Sequence, residues 1–363
     1  MRILFVSAPL IGHLFPMVPL AAALREAGHD VRVAAGGDAA AARPAGLEVD
    51  DVVPGFDFSR IARRVLLRHP LIGRAELAGK AGTRGVALLF GAVNDQLLPG
   101  TLRIAREWSP DLVVYEPLAG AGAHAAAEVG VPAVLHGNTL FDEAELVRVT
   151  TAAMRHKHPG GLPADRLVLS VAPPSLVGER AVRPMRFVSY GGEGDLPDLL
   201  REPPAGGRPR ILVTHSTVPG PGGGDLIGAA VAAASGVDAE VVLVRPDGTR
   251  DLPENVRAVG WTPLAEALST CAGVVHHGGA GTLLAALAAG VPQIVVPGPG
   301  DRRRNAELVA ARGAGLAVQV RQIDAAALRR LVTDDKLAAA AGEVRDEMAA
   351  LPHPAELVPE VAA

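Results

Sequence analysis

Two short stretches hold the residue types that could do chemistry. In "VVHHGGAGTL" (274–283) an apolar run ends in His276 and His277. Gly278, Gly279, Ala280, Gly281 and Thr282 follow, and a Leu/Ala-rich run comes next. Glycine lets a backbone approach a ligand closely and takes positive φ without steric cost. A helix start just beyond it presents unpaired N–H groups and a partial positive charge. Together they suit a phosphate. One exposed helix end contributes about 0.3–1 kcal/mol, too little to hold a diphosphate alone, so further donors should converge, and His276 is placed to be one. A plain tight turn is the alternative. The motif is neither the phosphate loop GxxxxGK[ST] nor the dinucleotide fingerprint GxGxxG, which removes the usual support for ATPase and NAD chemistry.

The second stretch is "PLIGHLFP" (9–16). His13 follows a strand-like run and Gly12, and Pro16 could open a helix. Histidine ordinarily titrates near 6.5, which suits proton abstraction near neutral pH. A solvated loop histidine is the competing reading.

Elements that place these residues alternate along the chain. Strand candidates in the first half are 3–7, 30–35, 111–116 and 132–136, and the run "PMVPLAAALREAGH" after the first has helical spacing and ends at Gly28. The rhythm restarts with 210–215, 239–244, 256–261, 273–277, 292–297 and 315–320. Apolar strands alternating with helices predict parallel sheets covered on both faces. Each half is therefore expected to be a doubly wound, Rossmann-like α/β domain, whose ligands bind beyond the strands' carboxyl ends. Residues 51–100 interrupt the rhythm, either as an insertion over a binding cleft or as an extra helical layer. The Pro/Gly-rich run 197–210 suits an exposed linker. The expected division is 1–203, 210–342, and a terminal helical segment 343–363 crossing back to the first domain.

Composition excludes several classes. The 363 residues, 49% of them hydrophobic, suffice for two cores, yet no apolar run reaches the ~18 residues of a membrane span. "MRILFVSAPL" reads as a strand, not a signal peptide. The formal charge is −4 with no basic block, so neither nucleic acid nor an anionic membrane is an expected partner. A lone Cys271, read as a small core residue, excludes a disulfide framework and a cysteine-rich zinc site. A cytoplasmic enzyme is the expectation.

The segment "VRAVGWTPLAEALSTCAGVVHHGGAGTLLAALAAGVPQIVVPGPGDRRRNAELVAARGAG" (256–315) resembles the donor-binding region of nucleotide-sugar glycosyltransferases of the two-domain GT-B fold. "FVSAPLIGHLFPMVPLAAALREAGHDV" and "ALPHPAELV" resemble the actinobacterial antibiotic branch of that family, nearest to calicheamicin-type enediyne enzymes. The resemblance implies two domains facing across a deep cleft. It implies that Trp261, Thr262, Pro263 and Leu264 hold a nucleotide base, usually thymine. From the residues alone, Trp261 could equally be a core residue sealing a strand end. His276 matches the histidine that donates to the diphosphate, and Gly278, Gly279, Ala280, Gly281 and Thr282 match its cradle. His277 is given a structural role, the second position varying among related families. Thr217 matches a hydroxyl that reaches the phosphates.

On the other wall, His13 aligns with the general base and Glu116 with a carboxylate that orients it. Glu116 could instead meet solvent or substrate, and Asp111 is disfavoured because it opens its strand. Two positions depart from the family pattern. Ser216 stands where Gly is common, and Arg302, after Asp301, stands where Gln is common. Asp301 could accept from a sugar hydroxyl, and Arg302 could meet the diphosphate or point to water.

The implied activity is inverting transfer of a (deoxy)sugar from a thymidine diphosphate sugar to a hydrophobic acceptor such as an enediyne or polyketide. No metal and no cofactor beyond the donor co-substrate are expected. A sugar-nucleotide 2-epimerase of the same architecture and a non-catalytic auxiliary homologue are the competing functions. A homodimer is left open.

Overall fold

The computed structural model describes residues 1–42, 46–77, 79–192, 194–216, 225–246 and 252–363. The chain divides into two compact units. The first comprises Met1–Ala172, Arg180–Val188 and Leu351–Ala363; the second comprises Pro173–Glu179 and Ser189–Ala350. The first unit thus closes at Val188 rather than 203, and the returning segment starts at Leu351 rather than 343. The segment 197–210 is no loose linker either. Leu200 is fully buried, and the buried Arg210 guanidinium donates to the carbonyls of Leu199, Leu200 and Glu202 while pairing with Glu240 at 2.5 Å. Removing one partner of such a buried pair is costly, which is why a segment of breaker composition stays fixed.

In the first unit seven parallel strands run in the order β3-β2-β1-β4-β5-β6-β7. They are β1 Arg2–Val6, β2 Asp30–Ala35, β3 Glu48–Asp51, β4 Leu112–Tyr115, β5 Ala133–His136, β6 Leu167–Ser170 and β7 Arg183–Pro184. Four of them coincide with expected strands. The three that the sequence pattern hides are β3, β6 and β7; β3 and β7 are the sheet edges, where one missing neighbour removes the demand for a continuous apolar run, and β6 is a four-residue strand beside the edge. β3 reads Glu-Val-Asp-Asp, and Arg32 of β2 pairs with its Glu48 and Asp50. The central strands are apolar on both faces: Leu4, Val6, Val113, Tyr115 and Leu135 belong to one core cluster with Leu97 and Ile104 of the helix Thr83–Trp108, and the alternate residues Ile3, Phe5, Leu112 and Val114 are fully buried.

The second unit holds six parallel strands in the order β10-β9-β8-β11-β12-β13. They are β8 Arg210–Thr214, β9 Glu240–Val244, β10 Val256–Val259, β11 Gly273–His276, β12 Gln293–Val295 and β13 Gly315–Ala317, all near their expected positions. Both orders reverse at a central strand, β1/β4 and β8/β11, and ligands of doubly wound sheets bind at such switch points.

Register brings the chemical residues together. Val6 of β1 pairs with Tyr115 of β4, so Ser7 and Glu116 emerge side by side at the carboxyl edge. His276 of β11 pairs with Thr214 of β8 and Val295 of β12, so the turns after all three strands share one edge. No helix among the described residues is long and apolar enough to cross a membrane.

Candidate active site

In the first unit, the loop after β1 turns into a short helix, Ile11–Leu14, whose Ile11 N–H donates to Asp38 Oδ1 at 2.8 Å. That anchor fixes the turn carrying His13. The His13 Nδ1 atom lies 3.3 Å from Glu116 Oε1, and the His13 side chain is 22% exposed while that of Glu116 is sealed. Glu116 is held from behind. Its Oε1 accepts from Ala8 N–H at 3.1 Å and its Oε2 from Leu118 N–H at 2.8 Å. Asn138 donates to Glu116 Oε2 and to the His13 carbonyl, each at 3.4 Å. A buried carboxylate fixed by main-chain donors can orient an imidazole and stabilise its protonated form.

Phe90 of the helix Thr83–Trp108 packs tilted on the His13 ring at 5.4 Å, and Phe58 on Phe90 at 6.2 Å. The segment that broke the strand rhythm therefore supplies apolar surface beside the histidine. Asp111 is elsewhere: it accepts from Arg2 N–H at 2.7 Å, at the amino end of its strand. Asn138 escaped the sequence reading, because an amide in a loop carries no spacing signal.

In the second unit, Gly278 turns the chain at φ +86°, and the helix Ala280–Ala288 begins two residues on. A Cβ on Gly278 would stand 3.1 Å from Val295 Cγ1 and 3.2 Å from both Arg302 Cβ and the Arg302 carbonyl. Both the dihedral and the crowding require glycine. Gly281, in the first turn of that helix, has nothing within 4 Å of its virtual Cβ. That turn is open on the side its missing side chain would fill.

The structure departs from the role expected of His276. His276 is fully buried, its Nε2 paired with Gln293 Oε1 at 2.7 Å and its Nδ1 accepting from Gly278 N–H at 3.1 Å. Both ring nitrogens are spent inside the protein, so His276 is a brace for the glycine turn and not a ligand donor. The strand pattern contained the reason: residue 276 ends a strand buried on both faces. His277, half-buried, bends over Gly279, whose virtual Cβ would come within 2.6 Å of His277 Nε2. Replacing His276 by alanine leaves Gln293 and the Gly278 N–H without partners. The expected result is a loss of about 1–3 kcal/mol of stability, read from urea unfolding.

The remaining expected donor residues lie as follows. Trp261 is 43% exposed and donates to the Gly191 carbonyl at 2.9 Å, with Arg245 over its ring at 5.0 Å. It is a surface plate, which overturns the core alternative. Thr262 is buried with its hydroxyl on the Gly260 carbonyl, and Leu264 opens a short helix, Leu264–Leu268. Asp301 Oδ2 accepts from Asn305 Nδ2, which also donates to the Gly278 carbonyl, both at 2.8 Å. Arg302 opens the helix Arg302–Arg312 and donates through Nη2 to Ser216 Oγ at 3.1 Å, so its guanidinium is turned inward and not to water. Ala280 and Thr282 sit at the helix start. Thr217 lies outside the described residues. Among the described residues no cluster of three or more His, Cys, Asp or Glu is arranged to hold a metal ion.

Burial pushes the imidazoles of His276, His136 and His124 down to about 4. Unfolded, each takes a proton near 6.5. Between those values the unfolded chain binds protons that the native state refuses, so stability falls as pH drops from about 6.5 to about 4. The loss is about 1.4 kcal/mol per pH unit for each such histidine. Asp165, pushed up to about 6 by burial, acts oppositely and offsets part of it. The urea midpoint is expected to be clearly lower at pH 5 than at pH 7.

Two doubly wound parallel sheets, one carrying a His–carboxylate pair and the other a glycine turn before a helix at its carboxyl edge, define a GT-B glycosyltransferase. Elloramycin glycosyltransferase ElmGT of Streptomyces olivaceus is 40% identical over 98% of this chain and 96% of its own. The crystal structure of the glycosyltransferase SnogD from Streptomyces nogalater superposes with a TM-score of 0.82 at 37% identity, covering 100% of this chain and 99% of that one. That of the Streptomyces sp. SF2575 glycosyltransferase SsfS6 complexed with thymidine diphosphate does so with a TM-score of 0.82 at 29% identity, over 100% and 99%. Residues 22–216 match the N-terminal domain, and 229–363 the C-terminal domain, of the erythromycin biosynthesis protein CIII-like family. The chain belongs to that family of antibiotic-biosynthesis glycosyltransferases.

Proposed function

We propose that this protein transfers a (deoxy)sugar from thymidine diphosphate to a hydroxyl of a hydrophobic natural product, with inversion at the anomeric carbon and without a metal ion. The observation that carries the reading is the partly exposed His13 ring with Nδ1 against the sealed Glu116 carboxylate. His13 Nε2 takes the proton of the acceptor hydroxyl as its oxygen attacks the anomeric carbon. The bond from that carbon to the diphosphate oxygen breaks on the opposite face, and thymidine diphosphate leaves with the electron pair. Glu116 steadies the imidazolium that forms. Such a base contributes about 10²–10⁴-fold.

The diphosphate is held by the N–H groups of the helix that begins at Ala280, by His277 in the place first given to His276, and by Arg302, with Gly278 and Gly279 keeping the approach clear. These fixed donors meet charge that develops on departure, the task a metal performs elsewhere. Trp261, Thr262 and Leu264 take the base, Asp301 a sugar hydroxyl, and Thr217 a phosphate. Support for the donor comes from the thymidine diphosphate complex of SsfS6. His277→Ala is expected to weaken thymidine diphosphate binding about tenfold by calorimetry, the size of one lost charge-assisted hydrogen bond, whereas His276→Ala acts mainly on stability.

Phe58 and Phe90 beside His13 favour an apolar acceptor, and the resemblance to enediyne enzymes keeps enediynes beside polyketides within its range. Mass spectrometry of thymidine diphosphate sugars incubated with polyketide and enediyne aglycones tests the reading. Glycosylated aglycone is the expected product. Donor isomerised in the absence of any acceptor would instead identify a 2-epimerase, and intact donor with every acceptor an auxiliary protein.

A further inference from the structure

The two most exposed large apolar side chains among the described residues are Leu67 and Leu71, at 76% and 84%. Both lie in the segment that interrupts the strand rhythm, on two consecutive helices, Phe58–Arg68 and Pro70–Leu77. Arginine is concentrated on the same helices. Arg60, Arg63, Arg64, Arg68 and Arg74 stand against a single acid, Glu76. In the sequence they form no unbroken basic block, but Arg60, Arg63, Arg64 and Leu67 recur at i, i+3, i+4 and i+7, which is one face of a helix. All five arginines are exposed, and among the described residues none of them forms an ion pair. The nearby carboxylates are turned elsewhere. Asp57 caps the first helix by accepting from the Arg60 N–H at 2.9 Å. Glu76 is directed at Gly85, and Asp95 faces Arg155 at 3.4 Å. The other side of the first helix is inside: Ile61 is buried, and Phe58 packs on Phe90, which packs on His13.

We infer that this arginine-and-leucine face docks on an anionic lipid bilayer. The net charge of −4 opposes such an approach for the molecule as a whole, so the face also sets the orientation of contact. Lipid phosphates are spread over a surface and meet the five guanidiniums without matched geometry. Arginine stems lie along apolar material while their heads stay at the phosphates, and Leu67, set among them, reaches the acyl boundary. A polyanion without an apolar layer would use the arginines and leave both leucines in water. Docking itself does not depend on the transfer chemistry, but what it serves rests on the apolar-acceptor reading above. An apolar acceptor partitions into a bilayer, and the helix that meets the lipid starts at Phe58, one aromatic contact from the ring that packs on His13.

The test is co-sedimentation of the full chain with vesicles of phosphatidylcholine alone and of equimolar phosphatidylcholine and phosphatidylglycerol, with neither donor nor acceptor present. At low salt the mixed vesicles should bind at least about 25-fold more tightly, since each cation near an anionic bilayer contributes about fivefold. Raising the salt to about 0.3 M should weaken that binding at least about tenfold. Arg63→Glu with Arg64→Glu should lose at least about 25-fold, Arg63→Lys with Arg64→Lys should stay within about threefold of wild type, and Leu67→Ser with Leu71→Ser should lose about tenfold. All four positions are exposed, so unchanged urea midpoints are expected alongside. Equal affinity for the two vesicles, or no binding to either, overturns the inference. So does a leucine variant that binds like wild type, which would make the face a polyanion site. A lysine variant as weak as the glutamate variant also overturns it, because that would signal shape-matched recognition by a protein. No transfer substrate enters these measurements, so failure of the transfer reading and failure of docking are seen separately.

Discussion

Replacing His13 by alanine is expected to lower turnover about 10²–10⁴-fold while leaving thymidine diphosphate affinity within about a factor of two of wild type. The split follows from location. The imidazole belongs to the first unit, on the loop after β1, while every proposed donor contact belongs to the second. Stability should change little, because the ring is partly solvated and its main contacts are Glu116 and Phe90. The measurement is a single-turnover rate with saturating donor, beside a calorimetric titration. An unchanged rate would place the base elsewhere, and a parallel loss of rate and donor affinity would mean that the substitution had disturbed more than proton transfer.

Glu116→Gln should reduce turnover about tenfold to a hundredfold and cost about 1–3 kcal/mol of stability. The carboxylate accepts at both oxygens from main-chain N–H groups, those of Ala8 and Leu118. Glutamine offers one oxygen and one NH₂, so a buried N–H is left facing another donor. Either amide orientation also removes the anion beside His13 Nδ1, and with it the stabilisation of the imidazolium. Asn138→Ala supplies the control. It removes the two long contacts at 3.4 Å but keeps the charge, so its effect on turnover should be much the smaller. Equal effects from the two substitutions would mean that Glu116 acts through shape rather than charge.

Much of this site is legible in the residues because its parts obey one local rule: functional side chains follow strands that are apolar on both faces. His13 follows β1, Glu116 follows β4, and the glycine turn follows β11. The parallel register then makes neighbours of residues 108 positions apart, such as Ala8 and Glu116. What could not be read was which nitrogen faces what. "HH" offers two imidazoles one residue apart, and only the partners of a buried strand end, Gln293 and the Gly278 N–H, mark the first as a brace. The Arg302–Ser216 contact is invisible for the same reason, since 86 residues separate them. Edge strands such as β3 were missed because their polarity belongs to their position at the rim.

The closing residues of the chain complete a body begun by the opening ones. Leu357 and Val361 are fully buried, and Arg183 and Arg186 bind Glu360 and the Leu351 carbonyl, all within the first unit. Translation therefore delivers Leu351–Ala363 of this unit only after the second unit, Ser189–Ala350, has been made. A nascent or truncated first half lacks that cover and exposes apolar surface worth about 1.5–3 kcal/mol per buried aliphatic side chain. In the cell, the first unit can close only after the second has been made, and loss of Leu351–Ala363 should damage the unit whose strands are made first.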